Sequence, residues 1–469
     1  MMKKRVISVA LSIAMVASLC MVGCGAKEAP KASEPAAGTS SQSQSESKSE
    51  APAKKEDVTI RFGIEKTQEA MFKEFEAENP GIKLEMVETG SETEKLTAML
   101  AAGTAPDLIR VTGVISIPTY VTRGIALNLD PYFAKSEVFK ADDLLPICDV
   151  YRFDGMKAGS GPLYGLPKDW SQDTGMVINK KVFRDRGVEI PSDEKALTYT
   201  QLIELSKKLR IVDDKGNVTQ RGFDTEAFGS CGLNYKTLLY QLECLGSSLF
   251  TDDMSASRWT APEVKKLVAE WVDARKNMYI GSPLVDATGM GGITDDQLAG
   301  ENWGYWATGM YRGDDKSKSR LAEDFMLIPS PYPEGGKQAA ACLYATGGII
   351  NSKTKHPDEA WKVFEWFFGG KPAQDRAKGG WGLPVLKSLM PLVPQTEAFD
   401  KQALKVVNRD NDCLVTLKCN PYAADLQTLI DKELIPVIMG KVELDAALKT
   451  LEEATNTRII EGMEVAGVK

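Results

Sequence analysis

The strongest constraint on the fold is an alternation of strands and helices early in the chain. Apolar residues at every second position predict strands at 58–64 and 82–86, and a third, short strand is predicted at 108–111, just after Ala105-Pro106-Asp107. Between them, apolar faces with helical spacing predict a helix at 68–78 and a second helix that ends near Gly103. This order is typical of α/β proteins with a mostly parallel sheet and helices on its faces. Ligands of such sheets bind beyond the carboxyl ends of the strands.

Further helices are predicted in the second half of the chain. Thr260 and Glu263 have the spacing of a capping box, in which their side chains satisfy free backbone amides at a helix start, and an apolar stripe follows them. Another helix is predicted after Pro357, and two more at 426–439 and 444–460 close the chain.

The N-terminus predicts export. Three basic residues at 3–5 precede an uncharged, mostly apolar run from Val6 to Val22, which has the pattern of a signal peptide over residues 1–23. Gly23-Cys24 after Met21-Val22 resembles the lipobox of bacterial lipoproteins, so we expect lipid attachment at Cys24. An ordinary cleaved signal with an incidental cysteine is the alternative. Residues 24–57 are rich in Ser and poor in apolar residues, which predicts a disordered tether.

Composition bounds the rest of the chain. About 410 residues remain, too many for one compact core, which favours two lobes. The formal net charge is −8, and removal of the basic N-terminal residues makes it more negative, so nucleic acid is not expected as a partner. With His356 as the single histidine and no Cys-x-x-Cys pair, we expect no metal site and no cofactor.

The cysteines leave two interpretations open. Cys413–Cys419 and Cys231–Cys244 are the pairs nearest in sequence, and an exported protein can form disulfides. Buried free thiols explain the same residues.

Fragments spread over the chain carry a family resemblance. They are FKEFEAENPGIKL (72–84), LAAGTAPDL (100–108), GIALNL (124–129), YGLPKD (164–169), MVINK (176–180), GGIINSKTKHP (347–357) and GLP (382–384). In this order the chain resembles the sugar-type extracellular solute-binding proteins of ABC importers, which include the maltose-binding proteins. Two features depart from the family: Tyr199 replaces a frequent Trp, and the stretch Gly222–Gly232 has no counterpart.

The resemblance implies a two-lobed α/β fold, periplasmic-binding-protein-like, with hinge strands and a ligand cleft between the lobes. Lobe 1 would hold 58–166 and 337–384, and lobe 2 would hold 167–336 and 385–469. The expected protein is a monomer anchored by lipid to the outer face of the cytoplasmic membrane. It would close on a sugar or oligosaccharide and deliver it to an ABC permease.

Candidate ligand contacts combine aromatic rings, which stack on sugar rings, with polar groups that bind hydroxyls. Glu65 and Thr112 follow predicted strands, although exposed turns explain them equally well. The other candidates take their positions from the resemblance: they are Asp169, Trp170, Tyr311, Trp381, Tyr344 and Tyr422. Trp303, Tyr305 and Trp306 are interpreted as core.

The rival function is that of a secreted, membrane-tethered glycoside hydrolase. Such an enzyme needs two carboxylates at a defined separation, and 65 acidic residues supply pairs by chance. The chain has no Gly-x-Ser-x-Gly turn, and its one histidine precedes Pro357 at a predicted helix start. We therefore expect a receptor and not an enzyme. A receptor for a peptide, a polyamine or an iron complex stays open as a second alternative.

Overall fold

A computed structural model of the protein describes residues 57–64, 69–90, 94–225, 233–285 and 290–468. The predictions for Cys24, for the tether at 24–57 and for Glu65 concern residues outside these ranges. The strands are β1 (Val58–Gly63), β2 (Ile82–Met86), β3 (Leu108–Thr112), β4 (Arg152–Phe153), β5 (Ala158–Leu163), β6 (Gly165–Pro167), β7 (Met176–Asn179), β8 (Ile211–Val212), β9 (Val218–Asp224), β10 (Leu298–Glu301), β11 (Phe325–Ile328), β12 (Ala340–Ala341), β13 (Thr346–Ile350) and β14 (Leu414–Val415).

The α-helices alternate with these strands in the first part of the chain and dominate its end. They are α1 (Glu69–Glu78), α2 (Glu94–Ala101), α3 (Gly113–Thr122), α4 (Asp130–Phe133), α5 (Lys180–Asp185), α6 (Tyr199–Leu209), α7 (Tyr235–Cys244), α8 (Pro262–Lys276), α9 (Ala307–Gly313), α10 (Leu321–Asp324), α11 (Pro357–Gly369), α12 (Lys371–Gly379), α13 (Ala398–Asn411), α14 (Leu426–Ile438) and α15 (Leu444–Val465). Within the described ranges, no helix is long and apolar enough to cross a membrane.

The first sheet has the strand order β2-β1-β3-β13-β6. Its early strands β1, β2 and β3 run parallel, as predicted, and β13 is antiparallel to both β3 and β6. Ile60 and Phe62 point into the core and are fully buried, because alternate residues of a strand face the same side. The Phe62 ring packs edge-on against Phe72 of α1 and Phe367 of α11, which holds both helices on the sheet.

The second sheet has the order β11-β7-β10-β9-β8. Strand β9 is parallel to β10, and β7 is antiparallel to both β10 and β11. Met176, Val177 and Ile178 of β7 are consecutive and all fully buried, as expected for a central strand covered on both faces. We call the part around the first sheet lobe 1 and the part around the second sheet lobe 2.

One local prediction proves wrong, and the structure distinguishes between the two interpretations that the cysteines left open. Helix α8 begins at Pro262, and Thr260 donates its backbone N–H and its hydroxyl to Glu452 Oε2 at 2.8 Å each, so the predicted capping box does not form. Cys413 and Cys419 are both free thiols, which agrees with the second interpretation of the cysteines. Cys244 is also free, and Cys231 lies outside the described residues.

Candidate functional site

The first chain segment that joins the two sheets runs from β6 to β7. Trp170 in this segment exchanges two backbone hydrogen bonds with Leu383, at 3.0 and 2.8 Å. Its indole Nε1 donates to the carbonyl oxygen of Pro384 at 3.1 Å, and the side chain is 4% exposed. Trp170 was predicted to contact a ligand, but it is buried between two chain segments. It therefore joins those segments and offers no free ring face.

The second connecting segment leads from β11 through β12 to β13 and is tied to the first by Asp173. One carboxylate oxygen, Asp173 Oδ2, accepts hydrogen bonds from the backbone N–H groups of Leu343 (2.7 Å) and Tyr344 (3.0 Å). Burial raises the pKa of Asp173 to about 7, although these donors oppose the shift. The two segments that join the sheets are thus held together by a buried carboxyl group.

The return of the chain to lobe 2 comes later than predicted. The backbone N–H of Leu145 donates to Val385, and that of Lys387 donates to Asp143, so the segment after Pro384 still packs on lobe 1. Helix α13 then lies against β11 of lobe 2. The predicted boundary at 384/385 therefore falls too early in the chain.

Trp381 is the predicted residue whose ring is most accessible. It is 50% exposed, whereas most other large aromatic residues at this junction are buried. A Cβ built on Gly309 of α9 would lie 3.2 Å from Trp381 Cδ2, so the indole rests on lobe 2 while its own segment packs on lobe 1. Trp381 thus lies at the boundary of the lobes and is half exposed.

Tyr311 does not have the predicted exposure. It is 2% exposed, stacks on Phe325 with ring centroids 5.3 Å apart, and donates its hydroxyl hydrogen to Glu301. Burial raises the pKa of Glu301 to about 7. Tyr311 is a core residue of lobe 2 and is removed from the candidate site.

The remaining predicted residues differ in their surroundings. Tyr344 is half-buried, and Lys236 Nζ lies 3.7 Å from the centre of its ring. Thr112 ends β3 opposite Thr346, at the edge of the first sheet that meets the second connecting segment. Tyr422 is only 8% exposed. Tyr344 and Thr112 thus lie near the junction, but Thr112, at 7% exposed, offers as little surface as Tyr422.

Asp169 is present at the junction but is already paired. Its carboxylate lies 2.5 Å from Lys168 Nζ, and both side chains are largely buried. The two residues line a cavity of about 10 Å³ with Arg376 and Gly382, which has room for one water molecule at most. A larger groove of about 360 Å³ lies along α8, beside Glu263 and Lys266, and contains none of the predicted residues. Neither space holds a sugar at the junction as it stands.

Two tryptophans interpreted as core belong with the candidate site. Trp303 and Trp306 stack on each other with centroids 5.1 Å apart and 11° between planes, and both are partly exposed. Gly304 between them has φ +60°, and a Cβ there would lie 2.3 Å from Ser171 Oγ of the first connecting segment. The glycine lets this aromatic loop approach the junction. A Trp-Gly-x-Trp spacing is the sequence signal that could have indicated it.

Sequence reasoning also missed a group of buried polar side chains at the junction. Gln172 is fully buried, and neither its amide oxygen nor its amide nitrogen has a hydrogen-bond partner within the described part of the chain. The same holds for Asn302 Oδ1 and Thr225 Oγ1, at the carboxyl ends of β10 and β9. No cluster of His, Cys, Asp and Glu that could hold a metal ion occurs among the residues described.

Comparison with known proteins gives a family and a fold. The family model described as bacterial extracellular solute-binding protein matches residues 64–373, more than half of the chain. No curated protein sequence matches. The solved structures that match are two-lobed α/β proteins of the same kind.

Three solved structures illustrate the likeness. An ABC substrate-binding protein of Listeria monocytogenes in complex with cycloalternan is 20% identical, covers 88% of this chain and 100% of its own, and has a TM-score of 0.67. A solute-binding protein of Thermotoga lettingae bound with α-D-tagatose is 18% identical, covers 86% and 100%, and has a TM-score of 0.66. The sugar-binding protein MalE of Xanthomonas citri is 17% identical, covers 88% and 100%, and has a TM-score of 0.63.

Proposed function

The chain belongs to the bacterial extracellular solute-binding proteins, and we propose that it captures a sugar or oligosaccharide between its lobes for an ABC permease. The capture site would lie where the connecting segments meet, bounded by Trp381, Tyr344, the Trp303–Trp306 pair and Thr112. As a receptor, the protein would bind its ligand without catalysing a reaction and release it chemically unchanged. Cys24 would carry the lipid that anchors the protein outside the cell, as a monomer.

The observation that carries this proposal is the half-exposed indole of Trp381 at the boundary of the lobes. A large aromatic face is normally buried, and leaving it exposed forfeits about 1.5–3 kcal/mol of burial. A sugar presents CH-rich ring faces that cover such a surface, while its hydroxyls need hydrogen-bond partners nearby. A polyamine would instead favour unpaired carboxylates, and Asp169 at this junction is paired with Lys168.

The ligands of the neighbours support the same class. Four similar structures are complexes with cycloalternan, α-D-tagatose, mannotriose and D-mannitol, all of them uncharged polyhydroxy compounds. These compounds differ in length and ring structure, so they supply a panel for a test and do not select one ligand.

Calorimetric titration of the purified protein with these four compounds tests the proposal. At least one sugar should bind, be recovered intact, and reduce the radius measured by X-ray scattering as the lobes close. Trp381→Ala should weaken that binding by about 2–4 kcal/mol, the range of aromatic hot spots. Trp366→Ala is the matched control, because Trp366 packs on Phe75 in lobe 1. The control should lower thermal stability and leave affinity unchanged.

Other outcomes of these experiments would contradict the proposed function. Release of shorter sugars from an oligosaccharide would favour a tethered hydrolase. If the protein binds a peptide or a polyamine but no sugar, the proposed ligand class is wrong.

The lipid anchor is tested separately. Mass spectrometry of the mature N-terminus should find a diacylglyceryl group on Cys24, and Cys24→Ser should release the protein from membranes. Membrane retention of that variant would contradict the anchor.

A further inference from the structure

Gln172 has an unusual combination of burial and unsatisfied polarity. Its side chain is 0% exposed, and both of its amide atoms are without a partner. Buried polar groups in folded proteins are nearly always hydrogen-bonded, because a buried donor or acceptor without a partner is destabilising. An amide with both ends unsatisfied is therefore a candidate for binding something that the chain itself does not provide.

The position of Gln172 is central to the junction. Two residues before it, Trp170 is bonded to Leu383 and Pro384. On its other side, Asp173 is bonded to the backbone of Leu343 and Tyr344. Gln172 thus lies in the first connecting segment between its attachments to two other chain segments.

A second polar side chain with an unsatisfied atom lies on the neighbouring segment. Strand β10 pairs with β7 through Glu301 and Val177, and the loop that follows continues beside 171–175. There the backbone N–H of Gly304 donates to Gly175 O at 3.1 Å, and that of Trp306 donates to Ser171 Oγ at 3.3 Å. Asn302 lies in this loop, 3% exposed, with its Oδ1 unpartnered.

The charged groups nearest to these amides on the chain are already engaged. Glu301 accepts the Tyr311 hydroxyl, and Arg221 lies 3.6 Å from Asp224. Apart from Nε of the Arg221 guanidinium, which is already paired with Asp224, the groups of the described residues that remain unsatisfied at this edge are neutral: both ends of the Gln172 amide, Asn302 Oδ1 and Thr225 Oγ1. Burial of a charged ligand group opposite neutral amides would be costly, because no counter-charge compensates it.

We propose that Gln172 and Asn302 form a hydrogen-bonding subsite for uncharged ligand hydroxyls at the lobe 2 side of the junction. A hydroxyl both donates and accepts, so neighbouring hydroxyls of one sugar can satisfy both ends of the Gln172 amide and the Asn302 oxygen. This inference rests on the proposed function and adds to it a ligand class: neutral sugars in preference to uronic acids and amino sugars.

The experiment uses Gln172→Met, which keeps the unbranched shape and removes the amide. Affinity for the best-binding neutral sugar of the panel should fall at least tenfold. Apo Tm should stay level or rise, since an unsatisfied buried amide is removed. Gln241→Met in α7 is the matched control: Gln241 is 1% exposed, its Oε1 accepts a hydrogen bond from Trp271 Nε1 at 3.0 Å, and only its Nε2 has no partner within the described residues. The control should lower the apo Tm and leave affinity within threefold of wild type.

Two further arms keep the test decisive. Asn302→Leu should also lower affinity, and it decides the matter if Gln172→Met fails to fold. D-Glucuronate and D-glucosamine should bind at least tenfold more weakly than the best neutral sugar. The subsite is overturned if the folded Gln172→Met and Asn302→Leu proteins both bind within threefold of wild type, or if a charged sugar binds equally well. If wild type binds no sugar at all, the proposed function itself fails.

Discussion

The edges of the two sheets that meet at the junction are built in opposite ways. In lobe 1, the ring of Tyr151 is fully buried against three glycines, Gly113, Gly165 and Gly347, and its hydroxyl donates to Ala345 O at 2.8 Å. In lobe 2, the corresponding edge contains buried polar side chains with unsatisfied atoms, among them Gln172. The lobe 1 edge is tightly packed, whereas the lobe 2 edge contains polar atoms that are not hydrogen-bonded to any other residue that the structure describes.

The difference indicates a division of labour between the lobes. Because Tyr151 packs tightly against these glycines, there is no space for the backbone to move, and the lobe 1 edge can act as a rigid wall. Unsatisfied buried polar groups reduce stability, and a bound ligand can supply the partners that they lack. We therefore expect most polar recognition to come from lobe 2, and each prediction below tests one side of this contrast.

The largest effect on stability is expected for Tyr311, in the core of lobe 2. Tyr311→Ala removes a buried ring and the hydrogen bond to Glu301, so the free energy of unfolding should fall by about 3–5 kcal/mol. Denaturant titration without ligand measures it. Tyr311→Phe keeps the ring but leaves the buried Glu301 carboxyl without its hydrogen-bond donor. Its free energy of unfolding should therefore fall by about 1–3 kcal/mol. Weakened sugar binding in Tyr311→Phe at normal stability would return Tyr311 to the ligand site.

The second effect tests the rigid wall of lobe 1. A Cβ on Gly347 would lie 2.0 Å from Leu166 O and 2.6 Å from Tyr151 Oη, and the backbone there cannot move cheaply. Gly347→Ala should cost about 1–3 kcal/mol of stability. Gly292→Ala is the control, because nothing lies within 4 Å of a Cβ at that position. Its change should stay within about 0.5 kcal/mol. Equal stability of the two variants would mean that the lobe 1 edge is not tightly packed.

The third effect is a pH dependence that originates on the lobe 2 side. Burial raises the pKa values of Asp173 and Glu301 to about 7, above their ordinary values of 3.8 and 4.5. The folded protein then binds more protons than the unfolded chain between about pH 4 and 7. The stability that these groups contribute is present below pH 4 and is lost as the pH rises through 7.

Comparison of wild type with Glu301→Gln isolates one of these groups. The stability of wild type relative to the variant should fall by about 1–2 kcal/mol between pH 5 and pH 8. Denaturant titrations at several pH values above 4.5 measure this difference, because the lowered carboxyl pKa values of exposed residues act only at lower pH. A difference independent of pH would show that Glu301 is ionised throughout this range.

The smallest effect concerns recognition by lobe 1. Thr112→Val removes one hydroxyl and keeps the shape of the side chain. Sugar affinity should fall by about 1 kcal/mol or less, the value of one neutral hydrogen bond. A loss larger than that of Gln172→Met would reverse the proposed division of labour. Calorimetry on both variants with the same sugar makes the comparison.

The sequence carried enough information for the fold where the pattern was local. Val58, Ile60 and Phe62 alternate strictly, and the strand they predict forms as β1. The capping box failed because Thr260 is bonded to Glu452, almost two hundred residues away in α15. Local spacing cannot show which distant side chain competes for a hydroxyl.

The site was less predictable because exposure depends on residues that are distant in sequence. The family resemblance made Trp381 a candidate, and this residue is 50% exposed. Tyr311 was misread because its partners Phe325 and Glu301 come from two other strands. Gln172 looked like an ordinary polar loop residue. Its burial results from the convergence of segments near residues 343 and 383, which no spacing rule reveals.

The antiparallel pairing of β3 with β13 has a consequence for how the protein is made. The partners Thr112 and Thr346 are separated by more than two hundred residues, so the first sheet cannot be completed until most of the chain has been synthesised. Long-range pairing of this kind slows folding, because loop closure must precede the contacts that offset it. Until then β3 has an open edge that can pair with other chains. A fragment that ends before β13 should therefore aggregate, whereas the whole chain has the strand that covers this edge.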